Sequence, residues 1–375
     1  MHENPLPSLF TQLSIIPDPR VDRTKEHLLI DILMIGVCAM LCGADSFTDM
    51  ADFGRAKEAW LRTFLELPNG IPSHDTLGRA FAALDPKVFS ECFMRWSEGL
   101  RRALGREVVA IDGKSLRRSF ERSKGRGAIH MVNAWATENG LALGQVKTDA
   151  KSNEITAIPE LLRSLELSGC IVTLDAMGCQ KNIAKEIHEA DADYVLALKG
   201  NHETVHAEVQ SFLQDAQDKG WKTTPHDFLE TVEKGHGRIE TRRYWITDQI
   251  GWFADRSAWE NLQSMGMVES IREIDGVSTV QRRFYLSSLP ANVKEFARAV
   301  RGHWAIENNL HWVLDVCFAE DQCRTRAGFA AQNLAILRQI TLNILKRDST
   351  VKRGIKGKQK NAAWDNAYLL HLLRI

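Results

Sequence analysis

The chain has 375 residues, with 48 Lys and Arg against 48 Asp and Glu; 44% of it is hydrophobic and 26% charged. These proportions exclude a wholly disordered chain, a collagen and a coiled-coil rod, and the length accommodates two to three domains with substantial cores. A net charge of zero neither favours nor excludes a nucleic-acid partner, so charge must be read locally.

The opening MHENPLPSLF has neither the basic start nor the long apolar stretch of a secretory signal. The longest apolar run, Ile32 to Cys42, is too short for a membrane span, which needs roughly twenty residues. No membrane partner is expected. The cysteines (Cys38, Cys42, Cys92, Cys170, Cys179, Cys317 and Cys323) are odd in number and contain no C-x-x-C pair. That pattern favours reduced thiols in the cytoplasm over disulfides or a cysteine-based zinc module.

Residues 1–105 read as an all-helical N-terminal domain. Leu28 to Cys42 is a nearly all-apolar helix, and Ala51 to Leu67 carries apolar residues at helical spacing. Asn69-Gly70-Ile71-Pro72-Ser73 breaks the chain, and Ser73 or Asp75 can cap a helix starting near Thr76. From Val108 the period changes. Val108 to Ile111 reads as a buried strand ending at Asp112, followed by strands over His130–Ala136 and Leu141–Val146 joined across Asn139-Gly140. Ser152 or Asn153 caps a helix through Glu166, Cys170–Leu174 is a strand ending at Asp175, Lys181–Ala190 a helix, and Tyr194–Leu198 a strand. Short loops make the first three strands antiparallel, and helical crossovers make the later ones parallel.

The first part of this mixed α/β core spans 106–220. A β-rich insertion over 221–290 follows, with strands at Phe228–Val232, Ile239–Ile246, Val268–Ile274 and Thr279–Leu286. Residues 291–375 return to helix, chiefly Val293–Phe318 and Ala330–Leu345. The tail from Lys346 to Lys360 has seven Lys or Arg against one Asp and is expected to add non-specific phosphate affinity.

Asp112 and Asp175 both end apolar strands, at the edge of an α/β sheet where ligands commonly bind. Two carboxylates there repel unless a cation offsets them, and Mg²⁺ takes one or two protein carboxylates plus substrate phosphate. The alternative is that each Asp merely shapes a turn. His303, Glu307 and His311 are four residues apart on one helical face, with Asp315 drifting off it, while Ile306, Leu310 and Val313 face a core. Lys114, Arg117, Arg118, Arg122, Lys124 and Arg126 form a basic stretch after Asp112, opposed only by Glu121. His202-Glu203-Thr204-Val205-His206 is a literal H-E-x-x-H, the zinc-peptidase pattern, poorly placed because Gly200-Asn201 puts His202 at a helix start. Cys38, Cys42, Trp304 and Trp312 have packing as their simplest reading, with base stacking an option for one Trp.

Six motifs in order carry a resemblance. They are Ala110-Ile-Asp-Gly-Lys-Ser-Leu-Arg-Arg-Ser119, Lys151-Ser-Asn-Glu-Ile-Thr-Ala-Ile-Pro159, Thr173-Leu-Asp-Ala-Met-Gly-Cys-Gln180, Tyr194-Val-Leu-Ala-Leu-Lys-Gly-Asn201, His236-Gly-Arg-Ile-Glu240 and His303-Trp-Ala-Ile-Glu-Asn308. Together with Ile71-Pro-Ser-His-Asp75 they closely resemble the H-repeat-associated transposases of bacterial insertion sequences, over nearly the whole chain. These are DDE transposases with an RNase H-like core. The resemblance implies an RNase H-like mixed sheet interrupted by the β-rich insertion. It also implies a catalytic and metal-binding triad of Asp112, Asp175 and Glu307, holding two Mg²⁺ or Mn²⁺ ions. The implied reaction is cleavage at element ends and strand transfer into target DNA, by an oligomer assembled on DNA. Lys114, Arg117, Arg118, Lys199, Arg238 and Arg324 become candidate DNA contacts. A Tyr, Arg, Glu, Lys signature common in related transposases does not transfer, since Val300, His303 and Leu314 occupy its other places. Asp315 competes with Glu307 as third acid. The alternatives are a vestigial, inactive DNA-binding descendant and, more distantly, a zinc metallopeptidase through His202, Glu203 and His206.

Overall fold

The computed structural model describes residues 8–101, 106–120, 127–148, 154–235 and 237–374. The expected cap at Ser152 or Asn153, the basic residues Arg122, Lys124 and Arg126, and His236 lie outside the described residues.

Five helices come first: α1 (Leu9–Ser14), α2 (Leu29–Leu41), α3 (Phe47–Leu61), α4 (His74–Ala83) and α5 (Pro86–Leu100). α3 starts earlier than its apolar spacing suggests, because Ser46 and Asp49 form a reciprocal capping box. Of the two candidate caps for α4, Ser73 serves, its hydroxyl accepting the Thr76 N–H. These helices do not close a core of their own. Phe81, Phe89 and Trp96 share one apolar cluster with Leu334, Leu337 and Ile344 near the far end of the chain.

One sheet of nine strands organises the rest, in the order β3-β2-β1-β4-β5-β9-β8-β7-β6. Its first half comprises β1 (Val108–Leu116), β2 (Ile129–Ala136), β3 (Leu141–Lys147), β4 (Ile171–Leu174) and β5 (Asp193–Leu198). Helices α6 (Glu154–Arg163) and α7 (Lys181–Glu189) make the crossovers. β1, β2 and β3 are mutually antiparallel, while β4 and β5 run parallel to β1, which is the RNase H-like arrangement. β1 runs beyond Asp112 to Leu116, because antiparallel pairing with β2 continues after β4 has ended at Leu174.

Helix α8 (Glu203–Asp218) leads into β6 (Asp227–Gly235), β7 (Arg238–Thr247), β8 (Ser264–Ile274) and β9 (Val277–Ser287). The expected insertion is not a separate sheet. β9 pairs antiparallel with β5 from Val195↔Ser287 to Leu198↔Phe284, so the four late strands extend the same sheet. The chain then forms α9 (Val293–Ile306), α10 (Trp312–Phe318), α11 (Ala330–Arg347), α12 (Ile355–Trp364) and α13 (Asn366–Leu372). The basic tail is less available than its composition suggests. Lys358 is buried, donating to the Leu345 carbonyl at 2.7 Å, and the Lys346 ammonium lies over the Trp135 ring.

α11 is buried at every residue from Ala330 to Leu345, wedged between the N-terminal helices and the sheet. Two of its buried asparagines, Asn333 and Asn343, hydrogen-bond backbone groups of neighbouring elements. Asn343 accepts the Ala142 N–H at 2.9 Å and donates to the Ala142 carbonyl at 2.8 Å, completing the edge strand β3. Ser90 and Ser97 of α5 donate to the carbonyls of Gln145 and Leu143 on the same edge. The sheet edge is thereby closed by helices rather than left to pair with another chain. Replacing Asn343 by Leu would leave two buried backbone groups unsatisfied, so denaturant unfolding of Asn343→Leu should show stability lowered by roughly 2–4 kcal/mol. A loss below about half a kcal/mol would show that Asn343 does not hold this edge.

Candidate active site

The last parallel pair between β1 and β4 is Ile111↔Leu174, so the next residues, Asp112 and Asp175, leave neighbouring strands side by side. Strands in a sheet lie about 4.8 Å apart, which sets the scale of this juxtaposition. Asp175 also shapes the turn after β4, its Oδ1 accepting the N–H groups of Met177 at 2.9 Å and Gly178 at 3.3 Å. The turn reading and the site reading therefore hold together, since the turn fixes the carboxylate in place.

α9 brings the third acid. It lies close against β1 because Gly302 has no side chain; a Cβ there would sit 2.8 Å from Val108 Cγ1. The expected single helix over Val293–Phe318 is interrupted by a π-helical turn at Glu307–His311, where the Trp312 N–H reaches back five residues to the Glu307 carbonyl. In a straight α-helix, residues four apart drift by about 40° per step, so Asp315 would sit about 120° from His303. The wider turn undoes part of that drift, and such turns recur at functional sites.

Asp112, Asp175 and Glu307 line one cavity of about 140 Å³, together with Lys199, Arg283, His303 and Trp304. Glu307 is exposed, whereas the Asp112 side chain is only 21% exposed. Burial pushes the Asp112 carboxyl up to about 7, helped by the charges of Asp175, Glu154 and Glu307. The neighbouring imidazoles do not offset that charge. Burial brings both His303 and His311 down to about 4, so both are neutral at pH 7. His303 Nδ1 is 3.2 Å from Thr173 Oγ1, while His311 Nδ1 lies 3.5 Å from Asp112 Oδ2. The buried His311 Nε2 has no hydrogen-bond partner among the described residues.

The donor set fits a hard divalent cation: carboxylate oxygens, excess negative charge and neutral imidazoles. Among the described residues no group of three or more His, Cys, Asp or Glu side chains stands close enough together to hold a metal ion. The acids instead line a cavity open to further oxygen ligands, as Mg²⁺ sites that also engage substrate phosphate require.

The expected DNA contacts separate into three groups. Lys199 lines the acid cavity. Arg117, Arg118 and Arg324 are exposed outside it, with Arg117 paired to Asp321 at 3.1 Å. Arg238 sits on β7, paired with Glu240 at 2.7 Å. Lys114 is turned inward: its side chain is 9% exposed, and its ammonium is held by Asp315 at 2.6 Å, Glu320 at 2.9 Å and Asp321 at 3.4 Å. It is a counter-charge within the protein and is not presented to a phosphate. The same contacts engage Asp315, which is not among the residues lining the cavity, whereas Glu307 is.

Sequence reading missed Arg283, whose guanidinium stacks 4.4 Å from the Trp304 ring centre above this cavity. Its signal was slight, an Arg before the apolar Phe284-Tyr285-Leu286 of β9. The H-E-x-x-H pattern does not build a zinc site. His202 precedes α8 with its Nε2 bonded to the Cys179 carbonyl and its ring against Trp259, while the His206 ring meets Phe284. No described helix is long and apolar enough to cross a membrane.

Comparison with known proteins bears on the whole chain. Residues 103–344 match the family model described as transposase DDE domain, and residues 10–97 match its associated segment. The chain is 41% identical over 370 residues to "Putative transposase YncI" of Escherichia coli O157:H7, covering 98% of this chain and 94% of that one. It is 40% identical over 373 residues to "H repeat-associated putative transposase YhhI" of Escherichia coli (strain K12), covering 98% of each. A solved piggyBac transposase synaptic complex with hairpin DNA aligns at a TM-score of 0.43 and 10% identity, over 98% of this chain and 78% of that one. That likeness is too slight to argue from.

Because the Asp112 carboxyl titrates near 7 when folded and near 3.8 otherwise, the folded protein binds more protons between those values. Its stability therefore falls as pH rises from about 4 towards 7. In metal-free protein Asp112→Asn should be the more stable form at pH 8, by roughly 2–4 kcal/mol, and should lose that advantage near pH 4. Thermal unfolding at the two pH values checks this, and a pH-independent difference would refute it.

Proposed function

We propose that this chain, which belongs to the transposase DDE-domain family, cuts DNA at the ends of an insertion sequence and joins the freed ends to target DNA, with Asp112, Asp175 and Glu307 as its metal-binding acids. The observation that carries the reading is that these three residues, far apart in sequence, line one cavity at the parallel strand ends. Two bound Mg²⁺ or Mn²⁺ ions would supply the Lewis acidity that activates a water or 3′-hydroxyl and stabilises the leaving 3′-oxygen.

The protein's own residues prepare the cavity for that chemistry. Asp112 stands among the other acids, so its carboxylate gains most from a cation. His303 and His311, neutral and half-buried, leave the negative charge uncompensated. Lys199 and Arg283 line the same cavity, where they can meet the phosphates of a strand entering it. The Trp304 face holds the Arg283 guanidinium in place. Acting on paired element ends would bring copies of the chain together on DNA in the cytoplasm.

Asp112→Asn, Asp175→Asn and Glu307→Gln should each reduce Mn²⁺-dependent nicking of DNA bearing the element's terminal repeats by about a thousandfold or more, with DNA binding retained. Nicking by all three variants at the wild-type rate would refute the triad. Binding without any nicking by the wild type would identify a vestigial DNA-binding protein. Replacing both Lys199 and Arg283 by Ala should lower DNA affinity and flatten its salt dependence by about one unit of slope per residue. An unchanged slope in a binding titration would remove them from the interface.

A further inference from the structure

The two edges of the nine-stranded sheet are finished differently. β3 is closed by Asn343, Ser90 and Ser97, whereas β6 pairs only with β7. That pairing runs without a bulge from Asp227↔Ile246 to Gly235↔Arg238, with two residues between the last pair. A two-residue turn makes Gly235 and Arg238 a hydrogen-bonded pair, so the odd-numbered residues of β6 bond to β7. The even-numbered ones, Phe228, Glu230, Val232 and Lys234, turn their N–H and C=O groups outward. Phe228 agrees with this, since its N–H donates to the Asp227 side chain at 3.0 Å. Among the described residues the outward backbone groups of Glu230, Val232 and Lys234 meet no partner.

Proteins usually guard such an edge with proline, charge or a covering element. β6 has no proline, and Val232 at its middle is 54% exposed. Its charges select a second strand rather than simply repelling one. Glu230 and Lys234 lie two residues either side of Val232, on the same face of the strand. In an antiparallel pairing of β6 with its own copy, centred on Val232, each Glu230 stands opposite Lys234 of the second copy. Centring on Glu230, Glu233 or Lys234 sets like charges face to face, and centring on Thr231 leaves every charge opposite an uncharged residue. One register is thereby singled out. Lys234 makes no ion pair among the described residues, and Glu230 uses only Oε2, held by Arg243 at 2.6 Å. Val232 also shares its cross-strand row with Thr241, Ile271 and Val280, so the pairing joins two partly apolar rows.

We propose that β6 is a self-association edge, through which two copies of the chain pair antiparallel about a two-fold axis at Val232. The pairing forms about six backbone hydrogen bonds, two at Val232 and two at each Glu230–Lys234 position, and joins the two sheets into one. It uses none of the acids of the cavity and is independent of the metal-binding reading.

The test is sedimentation velocity over a concentration series of the full chain without DNA, with circular dichroism confirming the fold of each variant. Wild type should sediment as a dimer. Val232→Pro removes an outward N–H and no bond to β7, so it should fold while weakening the dimer about tenfold or more. Lys234→Glu and Glu230→Lys each set like charges opposite in the homodimer, so each should dimerise more weakly alone than the two do when mixed. The Cα atoms of a hydrogen-bonded pair lie about 5.5 Å apart, within disulfide reach. Val232→Cys should therefore cross-link on oxidation, while Glu230→Cys and the wild type should not. A wild type that stays monomeric up to about 100 μM, or a Val232→Pro chain that dimerises as the wild type does, would overturn the proposal.

Discussion

Two parallel strands whose pairing stops in register, with an aspartate next on each, impose the constraint on which the rest of this structure depends. The Ile111↔Leu174 pairing sets Asp112 beside Asp175, and the sheet cannot move them apart without breaking its own hydrogen bonds. Burial and neighbouring acids lift the Asp112 carboxyl to about 7, so the folded chain holds this carboxylate under repulsion at neutral pH. An arrangement selected for stability alone would place apolar or uncharged residues there. Local conflict with the packing rules of the surrounding fold is the usual mark of a functional site.

The remaining architecture supplies the rigidity that such a site demands. α9 is drawn onto β1 through the gap left by Gly302, and the π turn keeps His303, Glu307 and His311 over the strand ends. Lys114, reaching from β1 to Asp315, Glu320 and Asp321, ties the following segment back to the same strand. Behind the sheet, α11 joins the N-terminal helices to β3, with Asn333 donating to the Phe81 and Leu84 carbonyls as Asn343 completes Ala142. The N-terminal helices therefore brace the sheet through a common core.

Much of this was legible because its signals are local. The strand end at Leu174, the Asn139-Gly140 hairpin and the Ser73 cap each follow from a few adjacent residues. Other features depend on contacts that no local pattern encodes. Lys114 reads as part of an exposed basic stretch, yet its partners lie some two hundred residues further on, at Asp315 and Asp321. The β-rich segment reads as an insertion because its hairpins are local, whereas its union with β5 is a long-range pairing. A π turn adds one residue to an otherwise helical pattern and leaves no trace in apolar spacing. The H-E-x-x-H pattern errs in the opposite way, as its spacing implies a helix that has not begun at His202.

The contrast between Lys114 and Arg283 shows how a chain of zero net charge can keep cations available beside its acids. Near a carboxylate cluster, a compact ammonium on a flexible stem is readily captured, and Lys114 is held by three acids at once. Arg283 escapes that fate through its plane. Its guanidinium is stacked on Trp304 and donates to Gln281 Oε1 at 3.2 Å, contacts that do not neutralise the charge. A phosphate entering the cavity would therefore find both the acids and the charged Arg283 guanidinium on its lining. Stacking on an aromatic face, rather than any excess of basic residues, keeps a charged guanidinium in the same cavity as the acids.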